Sequence, residues 1–327
     1  MDSNELLEPF DRMLEQASSP AAVRAIEHGG DATALWSELV QSGFLDALVG
    51  EEHGGAGLSL GQVEPLLQAL GRHAVPLPVA ETMAARYLLA EAGIAAPEGP
   101  IAFATVTPGR AVIVPFGAVA SHILIDLGDR LVLAEVASAH SEPTGVAGSL
   151  AARMRWDSAP DGPSLLSLES GLRALAAVLR AAMMAGAAAR LLDMTTAYAN
   201  ERVQFGKPIG RQQALQQNLA VMAEDAVACR LAAQLGCAGG VVPSLAAAAT
   251  AKSVTSASVV RIAATAHAVH GAIGISEEYD LQLYTRRLYE WRLADGSESY
   301  WNRLLGKARM ASEETSVDWV REHVFSG

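Results

Sequence analysis

Glu201-Arg202-Val203-Gln204-Phe205-Gly206-Lys207-Pro208-Ile209-Gly210 interrupts a chain that is apolar and helical in composition before it and helical in spacing after it. Residues 175–199 are rich in alanine, and core packing gives no reason for them to end in an arginine, a glutamine, an aromatic ring and Gly-x-Pro. Two readings account for the stretch. A polar helix C-terminus with a Gly/Pro stop explains the glycine and the proline. A grip on a nucleotide cofactor explains the rest, because a planar arginine fork can pair with phosphate oxygens beside an amide and a ring. On either reading the stretch joins two long helices.

Working outward, residues 168–202, 211–237, 244–270 and 279–312 carry helical patterns with short connections, which predicts a four-helix bundle in the second half of the chain. Residues 1–100 read as a separate set of helices. Leu35-Trp36, Leu39-Val40 and Gly43-Phe44-Leu45 show apolar spacing of three to four with a glycine stop, a second pattern runs from Ser59 to Arg72, and a third covers residues 80–92. Between these halves the texture changes. IAFATV, RAVIVPF, HILIDL and RLVLAEV are short Val- and Ile-rich runs punctuated by Pro-Gly, Gly-Ala and Gly-Asp, and they predict a small antiparallel sheet or barrel ending near Trp156-Asp157. The expected organisation is α+β and mainly α, with a helical domain over 1–100, a small β-domain over 101–163 and a helix bundle over 164–327.

Composition narrows the function. The 327 residues are 50% apolar with only 5% aromatics, which favours closely packed helices. A net charge of −12 argues against nucleic acid as a partner. That charge sits at the front, where residues 1–60 hold eleven Asp and Glu against Arg12 and Arg24. Cys229 and Cys237 are too few for a disulfide framework and wrongly spaced for zinc, so they read as core residues. The acidic N-terminus shows no signal-peptide pattern, and the uncharged run over 231–251 is broken by Gly239-Gly240 and Pro243, so it reads as two helix ends and a loop. A cytoplasmic protein with no membrane span is expected.

Three further motifs bear on chemistry. Gly57-Leu58-Ser59-Leu60-Gly61 matches a nucleophile elbow, but that device needs a preceding strand, and EEHGGA is a glycine loop between helices. Ser59 is expected to cap a helix. His270-Gly271-Ala272-Ile273-Gly274 ends the third bundle helix with glycines dense enough for a ligand to approach the backbone, or simply with a glycine-terminated helix. His267 and His270 have no acidic or cysteine companion, so no metal site is expected. In the stretch from Tyr284 to Glu298, Glu290 is placed for intrahelical pairing with Arg286 or Arg287, and Asp295 stands before Gly296 as a base or a turn former.

Taken together, RVQFGKPIGRQQALQQNLA from Arg202, AVHGAIGISEEYDLQLYTRR ending at Arg287, DGSESYW from Asp295 and the stretch SGFLDALVGEEHGGAGLSLGQVEPLLQALGR ending at Arg72 resemble the acyl-CoA dehydrogenase family nearly end to end. The resemblance implies FAD as cofactor. By position it implies that Arg202, Gln204, Phe205 and Gly206, with Gln213 nearby, contact the pyrophosphate and adenosine end of a flavin belonging to a neighbouring subunit. His270, Gly271 and Gly274 would add contacts from the following helix end. A tetramer is implied, since one chain completes another chain's flavin.

The departures from the family pattern are equally informative. Family members hold the flavin ring with a TEP-x-x-GSD segment and a W-I-T/S segment. Here the corresponding region reads IAFATVTPGRAVIVPFG and RLVLAEV, so the ring-holding half is missing. The family's base, a glutamate before the glycine of the C-terminal motif, corresponds to Asp295, and the alternative position on the first bundle helix offers only alanines around Ala176 and Ala177. The implied protein is a short subunit of a heteromeric α2β2 dehydrogenase paired with a full-length subunit. Such assemblies introduce an α,β double bond into bulky acyl-CoA thioesters, steroid side chains among them, and pass electrons to a flavoprotein. A homotetramer using Asp295 as base, or an assembly subunit without catalysis, is the alternative.

Overall fold

Apolar residues at three- and four-residue spacing form a first helical layer: α1 (Ser3–Ala17), α2 (Pro20–Glu27), α3 (Thr33–Gln41), α4 (Leu60–Arg72) and α5 (Val79–Glu91). The structure is a computed structural model and describes residues 3–204 and 206–325. Ser59 begins α4 with a capping box: its hydroxyl accepts from the Gln62 N–H at 3.2 Å while its own N–H donates to Gln62 Oε1 at 2.9 Å. Among the described residues no strand precedes it, so the nucleophile-elbow reading falls and the helix-cap reading stands.

The middle of the chain forms two small sheets. β1 (Ile101–Thr105), β3 (His122–Asp126), β4 (Arg130–Glu135) and β7 (Ser164–Leu166) make one in that order, and β2 (Val112–Val114), β6 (Ala152–Arg155) and β5 (His140–Pro143) make the other. Because strand side chains alternate, one face of the first sheet presents Ala102, Ala104, Ile123, Ile125 and Ala134 to Val114, Ala152, Met154 and Trp156 of the second. The opposite face presents Ile101, Phe103, Leu124, Leu131 and Leu133 to the helical core. Burial on both faces is why these strands read as continuous apolar runs.

Two features differ from the sequence expectation. β1 and β3 pair in parallel, Ile101 opposite His122, because the intervening β2 joins the other sheet before the chain returns. The strands also continue past Trp156. The Pro163 carbonyl accepts from Leu133 N–H at 2.9 Å and draws the following residues onto the edge of β4 as β7.

The second half is a bundle of α6 (Leu172–Glu201), α7 (Gln213–Cys237), α8 (Leu245–His270), α9 (Leu281–Leu293) and α10 (Glu298–Ala311), followed by α11 (Ser316–His323). α6 runs through the centre, and its stretch from 174 to 188 is buried throughout, the pattern of a core helix. Its length and composition, and those of Leu245–Ile275, would also suit a membrane span. α4 crosses α6 at backbone contact: a β-carbon on Gly71 would lie 1.8 Å from the Met183 carbonyl oxygen, and one on Gly186 would lie 1.8 Å from that of Gln68.

The single fourth helix expected over 279–312 is two helices. The chain turns between α9 and α10 with Asp295 at φ 57° and Gly296 at φ 100°. A β-carbon on Gly296 would sit 2.6 Å from the Tyr300 ring, so glycine is needed there for space as well as for conformation. Arg286 and Arg287 also leave their own helix. Both reach Glu27 of α2, at 2.6 Å and 3.0 Å, so the expected pairing with Glu290 gives way to a tie between the first helical layer and the bundle.

Candidate functional site

At the far end of α6 the chain leaves the helix at Arg202 and makes a two-residue hairpin. β8 (Val203–Gln204) pairs antiparallel with β9 (Lys207–Pro208), Gln204 opposite Lys207. Gly206 takes φ 78° at the turn, a conformation that favours glycine. Ile209 N–H donates to the Arg202 carbonyl at 2.8 Å and closes the hairpin base. Phe205 lies outside the described residues. Arg202 and Gln204 are exposed, and among the described residues neither side chain has an ion-pair or hydrogen-bond partner. Gln213 is exposed at the first turn of α7.

An apolar pin brings the second motif to this hairpin. Ala199, Ile209 and Val269 form a small buried cluster, packed by Tyr198, Leu215 and Leu219, that joins the ends of α6 and α8. The parts of the second motif then divide. The His270 ring is only 3% exposed, stacks on Tyr198 with ring centres 4.4 Å apart, and places Nδ1 2.8 Å from the Ala266 carbonyl. Burial, with the nearby His267 adding to it, lowers its pKa and keeps it neutral. Gly274 is buried against Leu281 and His270. Gly271 is exposed at φ 61° and is the part of this motif open to a ligand. One edge of the molecule thus gathers Arg202, Gln204, Gly206, Gln213 and Gly271, while His270 and Gly274 build the support beneath.

Asp295 belongs to a different place. Its Oδ2 accepts from Arg180 Nε at 3.3 Å, and Arg180 Nη2 donates to Glu81 Oε1 at 2.5 Å. Arg180 is 2% exposed, and its guanidinium lies 5.2 Å from the Phe116 ring centre and 5.8 Å from that of Trp291. Burial pushes the Glu81 carboxyl up, with Arg180 opposing, and Arg180 itself keeps its proton because Glu81 and Asp295 outweigh its desolvation. Beside this cluster Lys252 of α8, fully buried, donates to the carbonyls of Trp291, Arg292 and Gly296 at 2.8, 2.9 and 3.0 Å. It therefore caps the C-terminus of α9 and holds the Asp295 turn. Burial brings its pKa down to about 7.

Sequence reasoning missed Glu81, Arg180 and Lys252. The signal was there for two of them, since Arg180 and Lys252 each stand as a single charge within a long uncharged stretch of an alanine-rich helix. Cys229 and Cys237 are buried, and burial pushes the Cys229 thiol up to about 12. Both pack in the main core.

The two places are far apart. Arg180 and Arg202 are separated by 22 residues of one helix, which at 1.5 Å per residue is about 30 Å. The exposed edge and the Asp295 turn of one chain cannot meet on one small ligand.

Residues 174–310 match the model of the acyl-CoA dehydrogenase C-terminal domain. The chain is 33% identical over 298 residues to the acyl-CoA dehydrogenase IpdE2 of Mycolicibacterium smegmatis, an alignment covering 88% of this chain and 93% of that one. Its fold matches a chain of the Tcur3481-Tcur3483 steroid acyl-CoA dehydrogenase variant (TM-score 0.78, 25% identity, 95% of this chain and 100% of that one). It also matches the fold of a chain in the ChsE4-ChsE5 complex from Mycobacterium tuberculosis (TM-score 0.76, 20% identity, 96% and 98% covered). The chain belongs to the acyl-CoA dehydrogenase family. Its reaction class is flavin-dependent oxidation of an acyl-CoA thioester.

Proposed function

We infer that this chain is one subunit of a heteromeric, FAD-dependent acyl-CoA dehydrogenase and that it completes the flavin site of a partner subunit. The carrying observation is the position of Arg202 and Gln204: outward, without a side-chain partner among the described residues, and about 30 Å along α6 from the chain's own Asp295 turn. A free guanidinium and amide at an open edge, beside the exposed Gly271 backbone, suit the pyrophosphate and adenosine of FAD. The residues present fit that half of the cofactor. The ring-holding motifs of the family are missing from the β strands, so the ring is assigned to the partner.

When bound, FAD accepts the hydride that leaves Cβ of the thioester. This chain's part is binding and orientation: Arg202 neutralises phosphate charge, Gln204 and the Gly206 turn shape the edge, Gln213 lies next to it, and the Ile209–Val269 contact keeps the edge rigid. Removal of the Cα proton at that site falls to the partner. The likeness to the named ChsE4-ChsE5 complex and to a steroid acyl-CoA dehydrogenase favours a full-length acyl-CoA dehydrogenase subunit as partner and a bulky, steroid-derived acyl-CoA as substrate. The proposed setting is cytoplasmic, with a second flavoprotein as electron acceptor.

Arg202→Ala in the assembled enzyme tests the cofactor role. The expected result is a loss of FAD affinity of about tenfold to a hundredfold, the size of one charge-assisted contact, read as flavin absorbance per mole after gel filtration. Unchanged flavin content would end the assignment of this edge.

A further inference from the structure

The cluster around Arg180 is built at a cost. An ion triad in a helix interior adds little stability compared with apolar residues of the same volume. It is also where the described chain places two of its strained non-glycine residues: Phe116 at φ 57°, unusual for a bulky side chain, and Asp295 at φ 57°. Both touch Arg180, one through its ring and one through its carboxylate. Glu81 of α5 and Trp291 of α9 close the remaining sides. The turn that carries Asp295 is held in turn by Lys252 from below and by the Trp301 Nε1–H, which donates to the Asp295 carbonyl at 3.1 Å. Arg292 pairs with Glu298 across the break between α9 and α10. Arg180 thus holds the Asp295 carboxylate, 13% exposed, while Lys252 and Trp301 hold the backbone of the turn that carries it.

We propose that Arg180 is a built-in counter-ion that ties up Asp295 and closes this chain's own half-site, so that Asp295 acts as a structural anion. A carboxylate that accepts a Cα proton has to lie within hydrogen-bond reach of the substrate. Here Oδ2 is held by Arg180, whose guanidinium is itself covered by the Phe116 and Trp291 rings. The proposal rests on the family likeness that equates Asp295 with the base position, and it does not depend on which protein the partner is.

The test is made in the FAD-loaded assembly with two variants. Asp295→Asn is expected to keep turnover of the acyl-CoA within about threefold of the parent while lowering the melting temperature, because Arg180 loses an anion. The triple variant Glu81→Gln, Arg180→Met, Asp295→Asn removes the whole triad, is expected to melt no lower than the parent, and guards against a single variant that fails to fold. Loss of turnover by a hundredfold or more in either folded variant, with FAD content unchanged, would make Asp295 a base and overturn the proposal. Native mass measured on the same preparation keeps the two readings separable. A homotetramer would end the partner assignment and leave the Asp295 result standing.

Discussion

Lys252 shows how far a single residue's chemistry departs from its sequence context. In the sequence it is one charge in a run of small residues. In the fold its nitrogen is held by three backbone carbonyls of the α9 end and the following turn, and among the described residues no carboxylate pairs with it. Desolvation outweighs the pull of Asp295 and Glu298, with Arg180 and Arg292 opposing them, and the pKa falls from 10.5 to about 7. The unfolded chain therefore binds this proton between pH 7 and 10.5 while the folded chain has released it. Stability should then rise with pH across that window, by at most about 1.4 kcal/mol per unit. Urea titrations from pH 7 to 9 on the parent and on Lys252→Met check this. The rise should vanish in the variant, and an equal slope in both would assign it to other groups. The same scale explains the two histidines: His270 was legible as a motif, yet its ring supports the edge from beneath, because Tyr198 covers it.

Helices and strands were read more securely than their partners. The Gly-x-Pro stop after α6, the helix cap at Ser59 and the broken run after α7 follow from local chemistry, and the elements start and stop there. The parallel pairing of β1 with β3 and the edge strand β7 depend on which sheet β2 joins, which no local pattern encodes. The contact between α4 and α6 is of the same kind. Gly71 and Gly186 are ordinary glycines in sequence, and only the crossing shows that each faces a carbonyl oxygen of the other helix. Gly71→Ala or Gly186→Ala should destabilise the chain by about 3 kcal/mol or more, since neither backbone can retreat without separating the helices. Chemical denaturation reads this directly, and a loss below about 1 kcal/mol would mean that the crossing adjusts freely.

The whole molecule presents an exposed polar edge at one end of α6 and a buried ion triad toward the other. Produced alone, the chain should be colourless or lose flavin on gel filtration. Produced with its full-length partner, it should yield a yellow assembly with equal amounts of the two subunits. A stable yellow homotetramer that oxidises an acyl-CoA would contradict the heteromeric reading. By itself the sequence determined the family, the mainly helical α+β architecture and the motif residues Arg202 to Gly210, because those depend on short-range spacing and on residue type. Only the tertiary structure decided that Arg202 faces outward, that His270 faces in, and that Asp295 is engaged by Arg180, which also holds Glu81. Those outcomes depend on which surfaces of distant segments meet, and residues 81, 180, 252 and 295 come together only when α5, α6, α8 and the α9–α10 turn pack around one buried charge.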